Sequence, residues 1–248
     1  MKRTLEVIAT TAEDAIAAAE GGADRIEVVA DLGAGGLTPP LGLVEEIMEA
    51  VKIDIQVMIR PHDRSFVYSE LELAYMAGQI AAVRSLGRPG IVVGCLTAEG
   101  AVDERGLAYL LSYAGGLDVT FHRALDETAD LAAAYEAISR FAGVRRVLTS
   151  GGASAAPSGA DAIAALVRRS EAVRSGRMAP GIGAGSGDLR RPGPAVMAGS
   201  GLRAELLPAF LKATGARELH FGTGVRGAAA VDRAKVAEVR RLLDQVKS

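Results

Sequence analysis

Six ionisable residues lie inside or at the ends of short apolar runs. Glu6 sits between Leu5 and Val7, Glu27 between Ile26 and Val28, Arg60 closes IDIQVMIR, His122 and Arg123 close LDVTFHR, and His220 lies within RELHF. A charge in such a run needs a buried partner or a task, because leaving water unpaired is costly. Carboxylates facing Arg and His across a low-dielectric cavity acquire shifted proton affinities, which general acid and base chemistry requires. On that reading Glu6 and Glu27 act as acid/base groups or carboxylate ligands, Arg60 and Arg123 clamp an anion, and His122 and His220 carry protons. The competing reading is a structural network in which the glutamates and Arg60 hold a buried polar layer together. His62, in PHDRS, reads as a solvated loop residue.

Glycines supply a second signal. TSGG (149–152), GSG (199–201) and GTG (222–224) each follow an apolar run, and the GSG is followed within a few residues by the helical segment LRAELLPAFL. Glycine lets backbone N–H groups approach an anion closely, and a helix N-terminus adds a favourable dipole. Ser150, Gly199, Ser200, Gly201, Gly222 and Thr223 are therefore candidate ligand-binding residues, although tight turns call for glycine too.

The elements that would position these residues follow from the period of the apolar pattern. Strand-like runs begin at Thr4, Asp24, Ile53, Gly90, Leu117, Arg145, Pro194 and Arg217. Segments with apolar stripes at spacings of three and four separate them, as with Leu43, Ile47 and Val51, or Leu131, Tyr135 and Ile138. Strands alternating with helices pair in parallel, and their near-continuous apolar character fits a sheet covered by its crossover helices. Eight such units predict a single-domain (β/α)₈ (TIM) barrel over residues 1–248, with Val231–Val246 as the last outer helix. The first strand then neighbours both the second and the eighth, so that Glu6, Glu27 and His220 meet inside, with the two glutamates side by side. Arg60, His122 and Arg123 fall at the C-terminal ends of their strands, where barrels place working groups. The Gly- and Pro-rich stretch Ser175–Pro194 has no helical period and predicts a mobile loop on the opposite face.

Composition narrows the partners. The 248 residues are 49% hydrophobic and 23% charged with a net charge of −2, so no basic surface for nucleic acid or an anionic membrane is expected. Cys95 is the single cysteine, and no apolar run is long enough for a membrane span. A cytoplasmic protein acting on a small-molecule ligand or metal ion is expected; barrels of this class often pair through loops or outer helices, so a homo-oligomer is compatible with the sequence without being specified by it.

The phrases LEV, GGADRIE, GGLTPPLGL, MIRP, VTFHRALD and RVLTSGG, in that order from Leu5 to about Phe221, resemble the CutC family. The resemblance implies a (β/α)₈ barrel, a cytoplasmic location and an association with copper homeostasis and copper ion binding. Copper as a ligand rests on this resemblance alone. The family's copper proposal rests on cysteines that follow the two glutamates, and Ile8 and Val29 stand at those positions here. Cu(I) prefers thiolate or thioether ligands, which neither residue supplies. Glu6, Glu27, Arg60, His122, Arg123 and Ser150 match the family pattern, whereas the last strand, LHFGTG, keeps only His220 of the usual phrase. Three readings follow: a small polar or anionic ligand site at the C-terminal face, extending to acid/base chemistry on a phosphorylated or carboxylated metabolite; a copper protein using His and carboxylates; and a structural module.

Overall fold

The computed structural model describes residues 2–174 and 193–246. Apart from Gly193 and Pro194, the expected loop Ser175–Pro194 lies outside the described residues. Eight parallel strands close into a barrel in chain order: β1 (Thr4–Ala9), β2 (Arg25–Val28), β3 (Asp54–Met58), β4 (Gly90–Val93), β5 (Val119–Phe121), β6 (Val144–Thr149), β7 (Ala195–Gly199) and β8 (Glu218–Phe221). Each is followed by a helix: α1 (Ala12–Glu20), α2 (Leu41–Ala50), α3 (Glu70–Ser85), α4 (Glu104–Ala114), α5 (Leu131–Ser139), α6 (Ala160–Arg174), α7 (Leu207–Thr214) and α8 (Arg233–Gln245). The fold is a (β/α)₈ barrel.

Local chemistry sets several helix starts. The side chains of Thr11, Asp103, Asp130 and Asp232 accept backbone N–H groups at the first turns of α1, α4, α5 and α8. At α3, Ser69 and Glu72 form a reciprocal capping box. No helix among the described residues is long and apolar enough to cross a membrane.

The strands alternate instead of being apolar throughout. Leu5, Val7, Ile26, Val28, Ile55, Val57, Leu219 and Phe221 face outward into the main core beneath the helices. Their neighbours Glu6, Arg25, Glu27, Gln56, Thr120, Arg146 and His220 take the opposite parity and are buried within the barrel. The outer shell supplies the apolar burial, so the barrel's interior can carry charge wherever the charges compensate one another. Ile8, Val29, Met58 and Val92 form a separate apolar cluster, with Leu32 packed against it.

Candidate functional site

The interior begins with a ladder of opposite charges. Glu6 lies level with Arg25 on β2 and with His220 on β8, and Glu27 lies level with Ile8. Glu6 and Glu27 are therefore not side by side, because the parallel register offsets them by one inward position. The Glu6 carboxylate accepts from Arg25 Nε at one oxygen and pairs with His220 Nδ1 at 2.7 Å through the other. Arg25 Nη2 also donates to Glu218 (2.8 Å), and Glu218 accepts from Arg146 Nε (3.2 Å). Arg146 in turn reaches Asp118 at 2.7 Å and Thr120 at 3.0 Å. The buried polar layer is thus held by Arg25 and Arg146, and Arg60 takes no part in it.

Glu27 stands at the upper end of this ladder. Its Oε2 lies 3.7 Å from His220 Nε2, while its Oε1 is buried with no hydrogen-bond partner. Burial pushes the Glu27 carboxyl up to about 7, only partly offset by His220. Glu6, equally buried, goes the other way: burial alone would raise it, but Arg25 and His220 hold it well below the usual carboxylate range. Burial would depress His220, yet the facing Glu27 and Glu6 raise it. Two carboxylates close together are thereby split into one that stays ionised and one that titrates near neutrality.

Glu27 and His220 line a cavity of about 530 Å³ at the C-terminal mouth of the barrel. Arg60 and His122 line it too. Arg60 is buried, and its guanidinium donates to the carbonyls of Ala34 (3.1 Å), Gly36 (3.4 Å) and Asp63 (3.4 Å) and lies over the Phe66 ring at 4.7 Å. Gly35 and Gly36 have φ of +80° and +90°, the left-handed turn beside the two carbonyls that face Arg60. No carboxylate pairs with Arg60 among the described residues, and its Nε has no partner. His122 Nδ1 accepts the Ala124 N–H at 3.1 Å, which assigns the ring proton to Nε2, a buried donor with no partner. Burial, with Arg60 adding to it, pushes His122 down to about 3, so the ring stays neutral. Gly94 makes room for the ring: a Cβ there would lie 2.5 Å from His122 Cε1 and Nδ1.

The glycine loops are placed differently from one another. Ser200, Gly201, Gly222 and Thr223 line the cavity, as does Arg123, whereas Gly199 and Ser150 are absent from its lining. Gly199 instead leaves space for Leu148 and His220. Ser150 is fully buried, accepting from Arg123 Nη2 and donating to Asp126, each at 2.9 Å. Arg123 also donates to Asp126 at 2.9 Å, so its charge is already matched. The GSG turn runs into a 3₁₀ turn, Ala204–Leu206, and the α-helical dipole begins only at Leu207. His62 is half-buried and contacts Glu72 at 2.9 Å, away from the cavity.

Residues not singled out from the sequence do much of the organising. Asp126 accepts from the Thr149 hydroxyl, the Ser150 N–H and hydroxyl, the Gly152 N–H and Arg123. Its signal was the i,i+3 spacing from Arg123. Arg25 lay two residues before Glu27, hence on the same strand face. Phe66, a loop aromatic, left no periodic signal.

Together these features define a (β/α)₈ barrel with a titratable, partly apolar cavity at its C-terminal mouth. The CutC family model matches residues 3–187, and the chain belongs to the CutC family. It is 39% identical over 221 residues to the CutC family protein of Salmonella enteritidis, covering 89% of this chain and 80% of that one. It is 44% identical over 165 residues to the CutC family protein of Mesorhizobium japonicum, spanning 66% of this chain and 64% of that relative. The crystal structure of a Streptococcus agalactiae CutC protein, named for copper homeostasis, superposes with a TM-score of 0.75 at 26% identity, covering 90% of this chain and all 100% of that one.

Copper fits these residues poorly. The single thiol, Cys95, is buried, donates to the Asp103 carbonyl at 3.5 Å and is pushed to a high pKa by burial. Ile8 and Val29 belong to the inner apolar cluster. Glu6, Glu27 and His220 bring ligand atoms within 4.8 Å of one another, but Arg25 already neutralises Glu6. A soft Cu(I) ion finds no thiolate there.

Proposed function

We propose that the mouth cavity binds a small organic anion, a carboxylate or phosphate ester, and that Arg60 holds its charge. The observation that carries this is the buried Arg60 guanidinium, which lacks a carboxylate partner among the described residues while lining a cavity of ligand size. A buried charge without a counter-ion is costly, and a ligand anion would supply one. His122 Nε2–H adds a neutral donor, and Ser200, Gly201, Gly222 and Thr223 add a polar rim. Ile8, Leu32, Met58 and Phe66 suit a carbon skeleton better than a bare ion.

Calorimetric titration with inorganic phosphate, 2-oxobutyrate and dihydroxyacetone phosphate tests the reading. At least one should bind, and Arg60→Ala should weaken it by about 1.5–3 kcal/mol, the scale of a lost charge-assisted hydrogen bond. Binding unaffected by Arg60→Ala, or none at millimolar concentration, would overturn it.

A further inference from the structure

The anion site contains more than binding requires. A carboxylate with one unpartnered oxygen and an imidazole with one unpartnered N–H line the same cavity as Arg60, whose guanidinium has no carboxylate partner among the described residues. Resting on the anion-site reading, we propose that Glu27 removes a proton from the carbon next to a carbonyl group of the bound anion while His122 Nε2–H donates to that carbonyl oxygen.

The step balances within these groups. The C–H bond breaks and its proton forms an O–H bond at Glu27 Oε1. The electron pair left on carbon becomes the C=C bond of an enolate, and the carbonyl π pair moves onto oxygen, where the His122 donor meets the new charge. Returning the proton to the same carbon reverses each of these changes and completes an exchange with solvent-derived protons, with no oxidant or metal. Glu27 Oε2 faces His220 throughout, at 3.7 Å, and the His220–Glu6–Arg25 chain fixes its orientation. His220, Glu6 and Arg25 are positioning residues, whereas Glu27 and His122 touch the reacting atoms. The neutral state of His122 matters, because a weakly acidic N–H can hydrogen-bond the developing enolate oxygen and keep its own proton. The titration of Glu27 near neutrality leaves it able both to accept a proton and to return it.

The test is hydrogen–deuterium exchange of 2-oxobutyrate and dihydroxyacetone phosphate in D₂O, followed by ¹H NMR, beside calorimetric binding of the same two probes. The wild-type chain should speed exchange of a bound probe by roughly 10²–10⁴-fold over buffer. Glu27→Gln should abolish that acceleration with binding retained, and the wild-type rate should rise with pH through about 7. Glu27→Asp, which keeps the carboxylate on a shorter arm, serves if the Gln variant misfolds, and should slow exchange without changing its pH dependence in kind. A probe that binds but does not exchange overturns this inference and leaves the anion site standing, as does exchange that survives Glu27→Gln. If neither carbonyl probe binds, this inference falls, and if inorganic phosphate fails to bind as well, the anion-site reading falls with it.

Discussion

Arg25 and Glu6 lie level across the β1–β2 ladder, and their buried side chains form an ion pair inside the barrel. Arg25 is shared with Glu218, and Glu6 with His220, so the pair is the middle of a chain and not an isolated contact.

Arg25→Leu should therefore be strongly destabilising, by about 3–5 kcal/mol, because the fully buried Glu6 would lose its guanidinium partner and keep His220 alone. Adding Glu6→Gln to it should recover a large part of the loss. Urea denaturation of the two single variants and the double variant gives the coupling, and simple additivity would show that the pair is not interacting as the geometry requires.

A second prediction concerns Gly94, whose missing side chain seats His122. In Gly94→Ala the new Cβ, 2.5 Å from two ring atoms, forces the imidazole to move, at a cost of about 1–3 kcal/mol. Thermal unfolding should register the loss, and affinity for any anion that binds should fall with it. Unchanged affinity beside a lowered Tm would mean that His122 contributes packing alone.

Much of this architecture was legible in the sequence. Each of the eight strands lies within or one residue beyond its apolar run, and the inward parity of Glu6, Glu27 and His220 follows from the period of two. The offset between neighbours was not legible, since the register of a parallel barrel depends on the shear of the closed sheet and not on any one strand. That offset sets Glu6 against Arg25 instead of Glu27, and leaves Arg60 outside the polar ladder. Strand β5 also stops at Phe121, because His122 already caps the turn that follows, a change of role that its run LDVTFHR does not show. Asp126 and Phe66 come from loops, whose partners are set by tertiary approach.

The His122 ring should remain the neutral Nε2–H tautomer across pH 5–8. Its folded pKa of about 3 lies below the ordinary value of 6.5, so the stability it contributes is present above that ordinary value and is lost as pH falls toward the folded one. Imidazole ¹⁵N shifts of the labelled protein should show one protonated and one unprotonated nitrogen, constant over that window. A titration midpoint near 6.5 would remove the uncharged donor from the site.

Glu27 gives the opposite dependence. Its folded pKa of about 7 lies above the ordinary 4.5, so the native state binds this proton more tightly than the unfolded chain does. The stability it contributes is fully present below about 4.5 and disappears as pH rises through about 7. Glu27→Gln stays neutral at every pH and escapes that loss, while Glu6 remains to hold His220. The variant should lie within about 1 kcal/mol of the wild type at pH 5 and gain on it as pH rises. The difference should approach at most ~3 kcal/mol by pH 8, at roughly 1.4 kcal/mol per pH unit separating the two pKa values. Urea unfolding at pH 5, 6, 7 and 8 measures it directly. A difference that stays constant over the series would place the Glu27 pKa outside this window, and a variant that loses ground as pH rises would show that the carboxylate is held ionised by His220 and is no base in waiting.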